Sequence, residues 1–203
     1  MNGVLDFDAS SRTARVEPGI VLDRLNAYLK PHGLWFPVDV STSSRATIGG
    51  MTGNNSCGSR SIRYGTMRDN VRAVDAILAD GSVMHFGEVT DNQMMAHLSD
   101  TQRDLVANLL GLGRDHEALI KEKFPDLMRR VGGYNIDALM PAGPARGSWD
   151  NQTVHKTAPH PNLAHLLIGS EGTLGIITEV QLRLYGIPEA MAAAVCSFDT
   201  LAG

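Results

Sequence analysis

Between Arg45 and Gly65 the chain reads RATIGGMTGNNSCGSRSIRYG, and five of those residues are glycine. Glycine lets another group approach the main chain without meeting a Cβ, and it takes positive φ at no steric cost. Gly49, Gly50, Gly53, Gly58 and Gly65 therefore make a stretch in which successive backbone N–H groups can face an anion. Thr47, Thr52, Asn54, Asn55 and Ser56 add side-chain donors at the same place. From Val40 to Arg68 there is no Asp or Glu, whereas Arg45, Arg60, Arg63 and Arg68 all lie there. That pattern suits an anion with several oxygens, such as a diphosphate. A long surface loop of ordinary turn residues has the same composition. Neither G-x-x-x-x-G-K-[ST] nor G-x-G-x-x-G occurs, which excludes the P-loop and the βαβ dinucleotide fingerprint.

A second cluster stands at LLIGSEGTLGIITEV, where Gly169, Gly172 and Gly175 lead into a strand pattern. Glycines at such a point mark a bulge or a close approach of the backbone; a hairpin turn ahead of an edge strand is the plainer account. The two clusters together favour a long ligand, which needs contact at more than one point. The remaining chemistry-bearing residues carry less. His155, His160 and His165 recur every five residues, a spacing that fits neither one helical face nor one strand face, so they read as loop histidines. Cys57, beside Arg60 and Arg63, could react as a thiolate, but a small residue in a tight turn explains it as well. Arg63 and Arg68 could reach phosphate or simply sit on a solvated face. Ser170 and Glu171 read as a strand-end turn rather than an acid–base pair.

The elements that would hold these residues follow from periodicity. GVLDF and TARVEP alternate around DASSR and predict a hairpin. Val21, Leu25 and Leu29 at i, i+4 and i+8 predict a helix that Gly33 stops. RAVDAILADGSVMHFG predicts a second hairpin with its turn at Asp80-Gly81. Thr90 to Leu127 reads as helical, with Leu105, Leu109 and Leu112 on one face, and MPAGPARGSWDNQT as a long loop. In GIITEVQLRLYG, Ile176, Thr178, Val180, Leu182 and Leu184 alternate with more polar partners, a half-buried strand. Strands, then helices, then strands predict an α+β fold.

Composition narrows the class. The 203 residues are 43% hydrophobic and 20% charged, near the globular average, with a formal net charge of -4 that gives no support for binding nucleic acid. Two cysteines and no C-x-x-C pair argue against a disulfide framework or a zinc site, and the N-terminal residues lack a signal-peptide pattern. A reducing, cytoplasmic setting is expected.

GLWFPVDVSTSSRATIGGMTGNNSCGSRSIRYGTMRDNV, AILADGSV and LLIGSEGTLGIITEVQLRL, in that order, resemble the FAD-linked oxidases of the vanillyl-alcohol oxidase / p-cresol methylhydroxylase type. The branch they resemble contains the D-lactate, glycolate and D-2-hydroxyglutarate dehydrogenases. The resemblance implies an α+β fold with a mostly antiparallel sheet flanked by helices, the second subdomain of a PCMH-type FAD-binding domain. It implies that Pro37 opens the segment lining the flavin. Thr47, Gly49, Gly50, Asn54, Asn55 and Gly58 would cradle the diphosphate and ribityl chain, Tyr64 and Gly65 would close the loop, and Asn70 would lead into the next strand. Gly172, Gly175, Ile176 and Ile177 would meet a heterocycle edge of FAD. No residue of the chain is assigned a catalytic or metal-binding role.

The resemblance also sets domain expectations. Family members carry an earlier subdomain with an R-G-G-G-T-S-type loop and a later cap domain, so residues 1–188 are expected to be a partial FAD-binding domain and residues 189–203 the start of a cap. The parent would oxidise a small 2-hydroxy acid. FPDLMRRVGGYNIDAL resembles the subgroup that works with an iron–sulfur component, which could bring the protein to the inner membrane through its electron acceptor. A piece of this kind would be inactive alone and would self-associate through surfaces its missing neighbours cover. Two other readings stay open: a non-catalytic remnant that folds without binding FAD tightly, and a different FAD oxidase or reductase on the same scaffold.

Overall fold

The computed structural model of the chain describes residues 1–89, 98–125, 127, 129–141, 160–192 and 194–197. Strands β1 (Val4–Asp8) and β2 (Thr13–Val16) form the first hairpin, with Val4 opposite Val16 and Asp8 opposite Thr13. The Asp8 carboxylate accepts from the Ser10 hydroxyl and from the Ser10 and Ser11 amides, which lowers its pKa to about 2 and fixes the turn. Helix α1 (Leu22–Leu29) buries Leu22, Leu25 and Leu29, while Val21 stands one residue before it. The chain then passes Gly33, whose φ of 69° ends the turn, into β3 (Leu34–Trp35).

Three short helices follow: α2 (Ile48–Gly53), α3 (Ser61–Tyr64) and α4 (Met67–Asn70). Strands β4 (Val71–Ile77) and β5 (Val83–Phe86) make the second hairpin around Asp80-Gly81, with Gly81 at φ 83°. Helices α5 (Asp100–Asp115) and α6 (Glu117–Lys123), a 3-10 turn at Ile136–Leu139, the short helix α7 (Ala164–Leu167), and strands β6 (Ile176–Arg183) and β7 (Tyr185–Gly186) complete the described elements.

The main sheet has the order β1-β2-β6-β4-β5 with every pair antiparallel, and β3 pairs with β7 in a two-stranded sheet. The α+β expectation is met. The half-buried alternation is met at Val180 and Leu182 and continues to Leu184 just past β6, but Ile176 at the start of the expected inward row is 67% exposed, and the strand is central rather than at an edge. One face of the sheet packs Val16, Val74, Ala76, Val180 and Leu182 with Leu25, Leu29, Ile48, Met67 and Ile168 into a single core. Val16, Leu25, Ile48 and Ile168 are each 0% exposed, the state in which apolar side chains contribute most to stability. The other face carries Arg15 on Glu179 (3.1 Å) and His85 on Asp75 (2.8 Å).

Helix α5 differs from its expected pattern. It starts at a capping box between Ser99 and Gln102. Its inner face centres on Val106 and Gly113; Leu105 and Leu109 are half-buried and Leu112 is 43% exposed. Gly113 sets that face, because a Cβ there would run into the Leu139 backbone. Residues 90–97, most of the MPAGPARGSWDNQT loop, His155 and part of 189–203 lie outside the described residues; those described after Ile187 form no helix or strand. No described helix is long and apolar enough to cross a membrane.

Candidate functional site

The first glycine cluster is built as helix rather than as an open loop. Thr47 caps α2, its hydroxyl accepting from the Gly50 amide at 3.3 Å. The Ile48 amide donates to Ile20 C=O (2.9 Å) and the Gly49 amide to Pro18 C=O (2.7 Å). Ile48, Met51 and Thr52 face the core, and their burial holds three glycines in a conformation that glycine disfavours. The expected positive φ is therefore absent at Gly49, Gly50, Gly53 and Gly58; within the stretch only Asn55 (49°) and Gly65 (77°) have it. Thr47, Gly49 and Gly53 remain partly exposed, and Gly50 and Asn54 are exposed.

The second cluster docks on the end of this helix. The Gly169 amide donates to Thr52 C=O (3.1 Å), which also accepts from the Asn55 amide (3.1 Å), and the Glu171 amide donates to Gly53 C=O (3.0 Å), so a distant part of the chain bonds the last two carbonyls of α2. Positive φ at Gly169 (84°), Glu171 (51°) and Gly172 (79°) folds the turn back on itself. Ser170 is buried with its hydroxyl on Leu167 C=O (2.8 Å), and exposed Glu171 makes the bend, so this pair is a turn.

Between the two clusters lies a groove of about 650 Å³. Eight of the expected residues line it: Thr47, Gly49, Gly50, Asn54, Gly172, Gly175, Ile176 and Ile177. Pro18, Gly19, Gly53 and Glu171 complete the lining. The Pro18-Gly19 dipeptide carried a turn signal in the sequence but nothing tying it to the glycine clusters. A second recess of about 550 Å³ lies beside the groove and shares Thr47, Gly50 and Asn54 with it. Asn55, Cys57 and Arg45 also line that recess. Helix α2 is thus a ridge common to both hollows.

The other expected residues are engaged within the fold. Pro37 is buried. Asn55 accepts from the Arg68 amide (3.0 Å) and donates to Arg130 C=O (3.3 Å). Gly58 passes so close to Asp39 that any Cβ would overlap its carbonyl oxygen. Tyr64 packs edge-on against Trp35 and Tyr185, and burial of the Tyr185 hydroxyl raises its pKa. Gly65 lies against the Asp69 side chain. The Asn70 side-chain carboxamide closes the bend between α3 and α4, its Nδ2 donating to Tyr64 C=O and Thr66 C=O, both at 2.7 Å.

The arginines do not converge on the groove. Arg60 lies over the Trp35 ring at 4.8 Å and Arg63 over Tyr64 at 5.5 Å. Arg68, expected on a solvated face or at phosphate, is 2% exposed and paired with Asp137 at 2.8 Å. Arg45 lines only the second recess, and the groove itself has no Lys or Arg in its lining. Among the described residues no cluster of His, Cys, Asp and Glu could hold a metal ion.

What the groove can do follows from its glycines. A Cβ at Gly172 would meet nothing within 4 Å, and one at Gly53 would come no nearer than 3.9 Å to Glu171 Cα, so the missing side chains leave open space. Main chain, the Thr47 hydroxyl, the Asn54 carboxamide, Pro18, Glu171 and the Ile176–Ile177 edge border that space. An extended ligand with polar linkages and a flat apolar end fits such a surface; a compact anion needing charge neutralisation does not.

Residues 1–87 match the family described as FAD binding domain. The chain is 34% identical over 201 residues to the D-2-hydroxyglutarate dehydrogenase of Pantoea ananatis, covering 98% of this chain and 18% of that protein. It is 33% identical to the probable mitochondrial D-lactate dehydrogenase of Danio rerio, covering 99% of this chain and 28% of that one. The chain thus spans less than a third of the length of these relatives. A solved structure of alkyldihydroxyacetonephosphate synthase superposes with a TM-score of 0.52 at 20% identity, covering 94% of this chain and 22% of that one, which shows a shared fold. Residues 1–87 thus match the FAD binding domain family, and similarity to these two dehydrogenases runs along nearly the whole length of the chain.

Proposed function

We propose that the chain is the FAD-binding portion of a flavin-dependent 2-hydroxy-acid dehydrogenase of the D-lactate, glycolate or D-2-hydroxyglutarate type. The observation that carries this reading is the hydrogen-bonded union of the two glycine segments into one groove. Thr47, Gly49, Gly50 and Asn54 would hold the diphosphate and ribityl chain, and Gly172, Gly175, Ile176 and Ile177 a heterocycle edge. Bound FAD would supply the redox chemistry, taking a hydride at flavin N5 from the α-carbon of the substrate. The chain's own work is then positional. Glycine keeps Cβ atoms out of the cofactor's path, the Thr47 hydroxyl and Asn54 carboxamide orient it, and Ile176 and Ile177 shield one edge from water. Pro37, Asn55, Gly58, Tyr64, Gly65 and Asn70 would serve the same site from beneath, by fixing the backbone around it.

Residues 1–188 are taken as part of a larger FAD-binding domain and 189–203 as the lead into a cap that supplies substrate contacts. An iron–sulfur acceptor working beside the Phe124–Leu139 segment would link the protein to the inner membrane. Leu174 (40%), Ile176 (67%) and Val83 (65%) are exposed large apolar residues on one end of the molecule, which supports self-association of the isolated chain. The competing reading is a remnant that folds without holding flavin.

Titration of the isolated chain with FAD, followed by flavin fluorescence, decides between them. Weak, saturable quenching that Asn54→Asp diminishes is expected, together with no oxidation of D-lactate. Absence of any saturable quenching overturns the proposal in favour of the remnant.

A further inference from the structure

Beneath the groove lies a buried polar cluster that touches neither hollow with its charged groups. Arg68 Nη1 donates to both Asp137 carboxylate oxygens (2.8 and 3.0 Å) and to Asn135 Oδ1 (3.1 Å). Arg130 Nη2 donates to Asn135 Oδ1 (2.8 Å) and to Asp137 Oδ1 (2.9 Å). Arg68, Asn135 and Asp137 are 2%, 1% and 6% exposed. Each end of this cluster grips one glycine segment. On one side the Asn135 carboxamide donates to Ile168 C=O (2.7 Å) and His165 C=O (3.1 Å), directly ahead of Gly169. On the other, the carboxamide of Asn55, next but one after the last residue of α2, accepts from the backbone amide of Arg68 (3.0 Å) and donates to the backbone carbonyl of Arg130 (3.3 Å), the main chain of the same two arginines. Gly169 itself sits where a Cβ would press on Asn55 Cβ at 3.4 Å and on Gly133 C=O at 3.3 Å.

We infer that Asp137, through Arg68 and Asn135, is a positioning residue for the groove: it holds the Gly169–Gly172 turn in register against the end of α2. A buried ion pair contributes little net stability compared with apolar packing, yet it tolerates few geometries, and removing one partner strands a charge. Its place between two segments that meet through only two backbone hydrogen bonds gives that selectivity a use. The inference rests on the reading that the groove holds FAD only for its consequence on affinity.

The test measures amide exchange site by site on the 15N-labelled protein. In Asp137→Asn the Gly169 and Glu171 amides, which bond to α2, should lose about tenfold or more of their protection, while Val180 in the central strand stays within about twofold. FAD affinity should fall severalfold in the same variant. Leu29→Val, at a buried position that lines neither hollow, should lower the melting temperature without changing the ratio of Gly169 to Val180 exchange or the affinity. If Asp137→Asn does not fold, Arg130→Gln at the rim of the cluster should show the same local loss. Unchanged exchange at Gly169 and Glu171, or equal acceleration at Val180, overturns the inference. A wild-type chain that binds no FAD would sink the cofactor reading and leave the exchange result to judge the cluster.

Discussion

Gly53 and Gly58 belong to one motif and are glycine for opposite reasons. At Gly58 the chain passes against Asp39, whose carbonyl and carboxylate oxygens occupy the place a side chain would take; Ser59 Oγ and the Arg60 amide then bond the same carboxylate at 2.7 and 3.0 Å. At Gly53 a Cβ would meet only Glu171 Cα, at a comfortable 3.9 Å, and the remaining space opens on the groove. The first kind of glycine brings two pieces of backbone together. The second keeps them from filling a space between. A sequence motif rich in glycine therefore mixes residues that would touch a ligand with residues that make the surrounding chain possible.

That contrast can be broken experimentally. The largest effect is expected for Gly58→Ala, where overlap with Asp39 backbone forces α3 to shift; a loss of about 2–4 kcal/mol, read by thermal or urea denaturation, is expected. A stability within error of the wild type would show that the contact is not tight. Gly53→Ala should do the reverse. Helical alanine is favoured over glycine by up to about 1 kcal/mol, so stability should hold or rise slightly. FAD affinity should drop by about tenfold, the scale of one misplaced methyl in a close ligand contact. An unaffected affinity would remove Gly53, and with it the open-glycine argument, from the site.

The smallest effect lies on the open face of the sheet and sharpens the contrast by leaving the groove alone. Hydrogen bonding to Asp75 raises the pKa of His85 despite partial burial. Because the folded value is the higher one, the pair's stabilisation is complete below the ordinary histidine value of 6.5 and fades as pH rises through the folded value. His85 is half exposed, so the gain is under about 1 kcal/mol. Asp75→Asn should flatten stability across that window in a pH series of denaturation curves and leave FAD titrations untouched.

Much of the fold was readable where the cause is local. Asp80-Gly81 between two apolar runs specifies its hairpin by turn chemistry alone, and Leu25 and Leu29 declare the buried side of α1. What was hidden depended on distant partners. Three glycines in six residues argue against helix, and α2 exists because Ile48, Met51 and Thr52 are buried and Pro18 and Ile20 receive its first amides. Arg68 looks solvated until Asp137 and Asn135 are brought to it. The exposure of Leu112 depends on Gly113 meeting Leu139. For the site, residue types together with the family resemblance pointed to eight lining positions, but the bias toward arginine misled: Arg60 and Arg63 stack on aromatics and Arg68 pairs with a carboxylate away from the groove.

The amides of Gly169 and Glu171 that finish α2 come from a late part of the polypeptide. During synthesis the Arg45–Gly65 segment would leave the ribosome long before the residues that complete it, with the Gly53 carbonyl facing water. Contacts between such separated stretches are slow to form because chain closure must precede any reward. A nascent chain released before Glu171 would carry the more recognisable of the two glycine motifs and still lack the hollow between them.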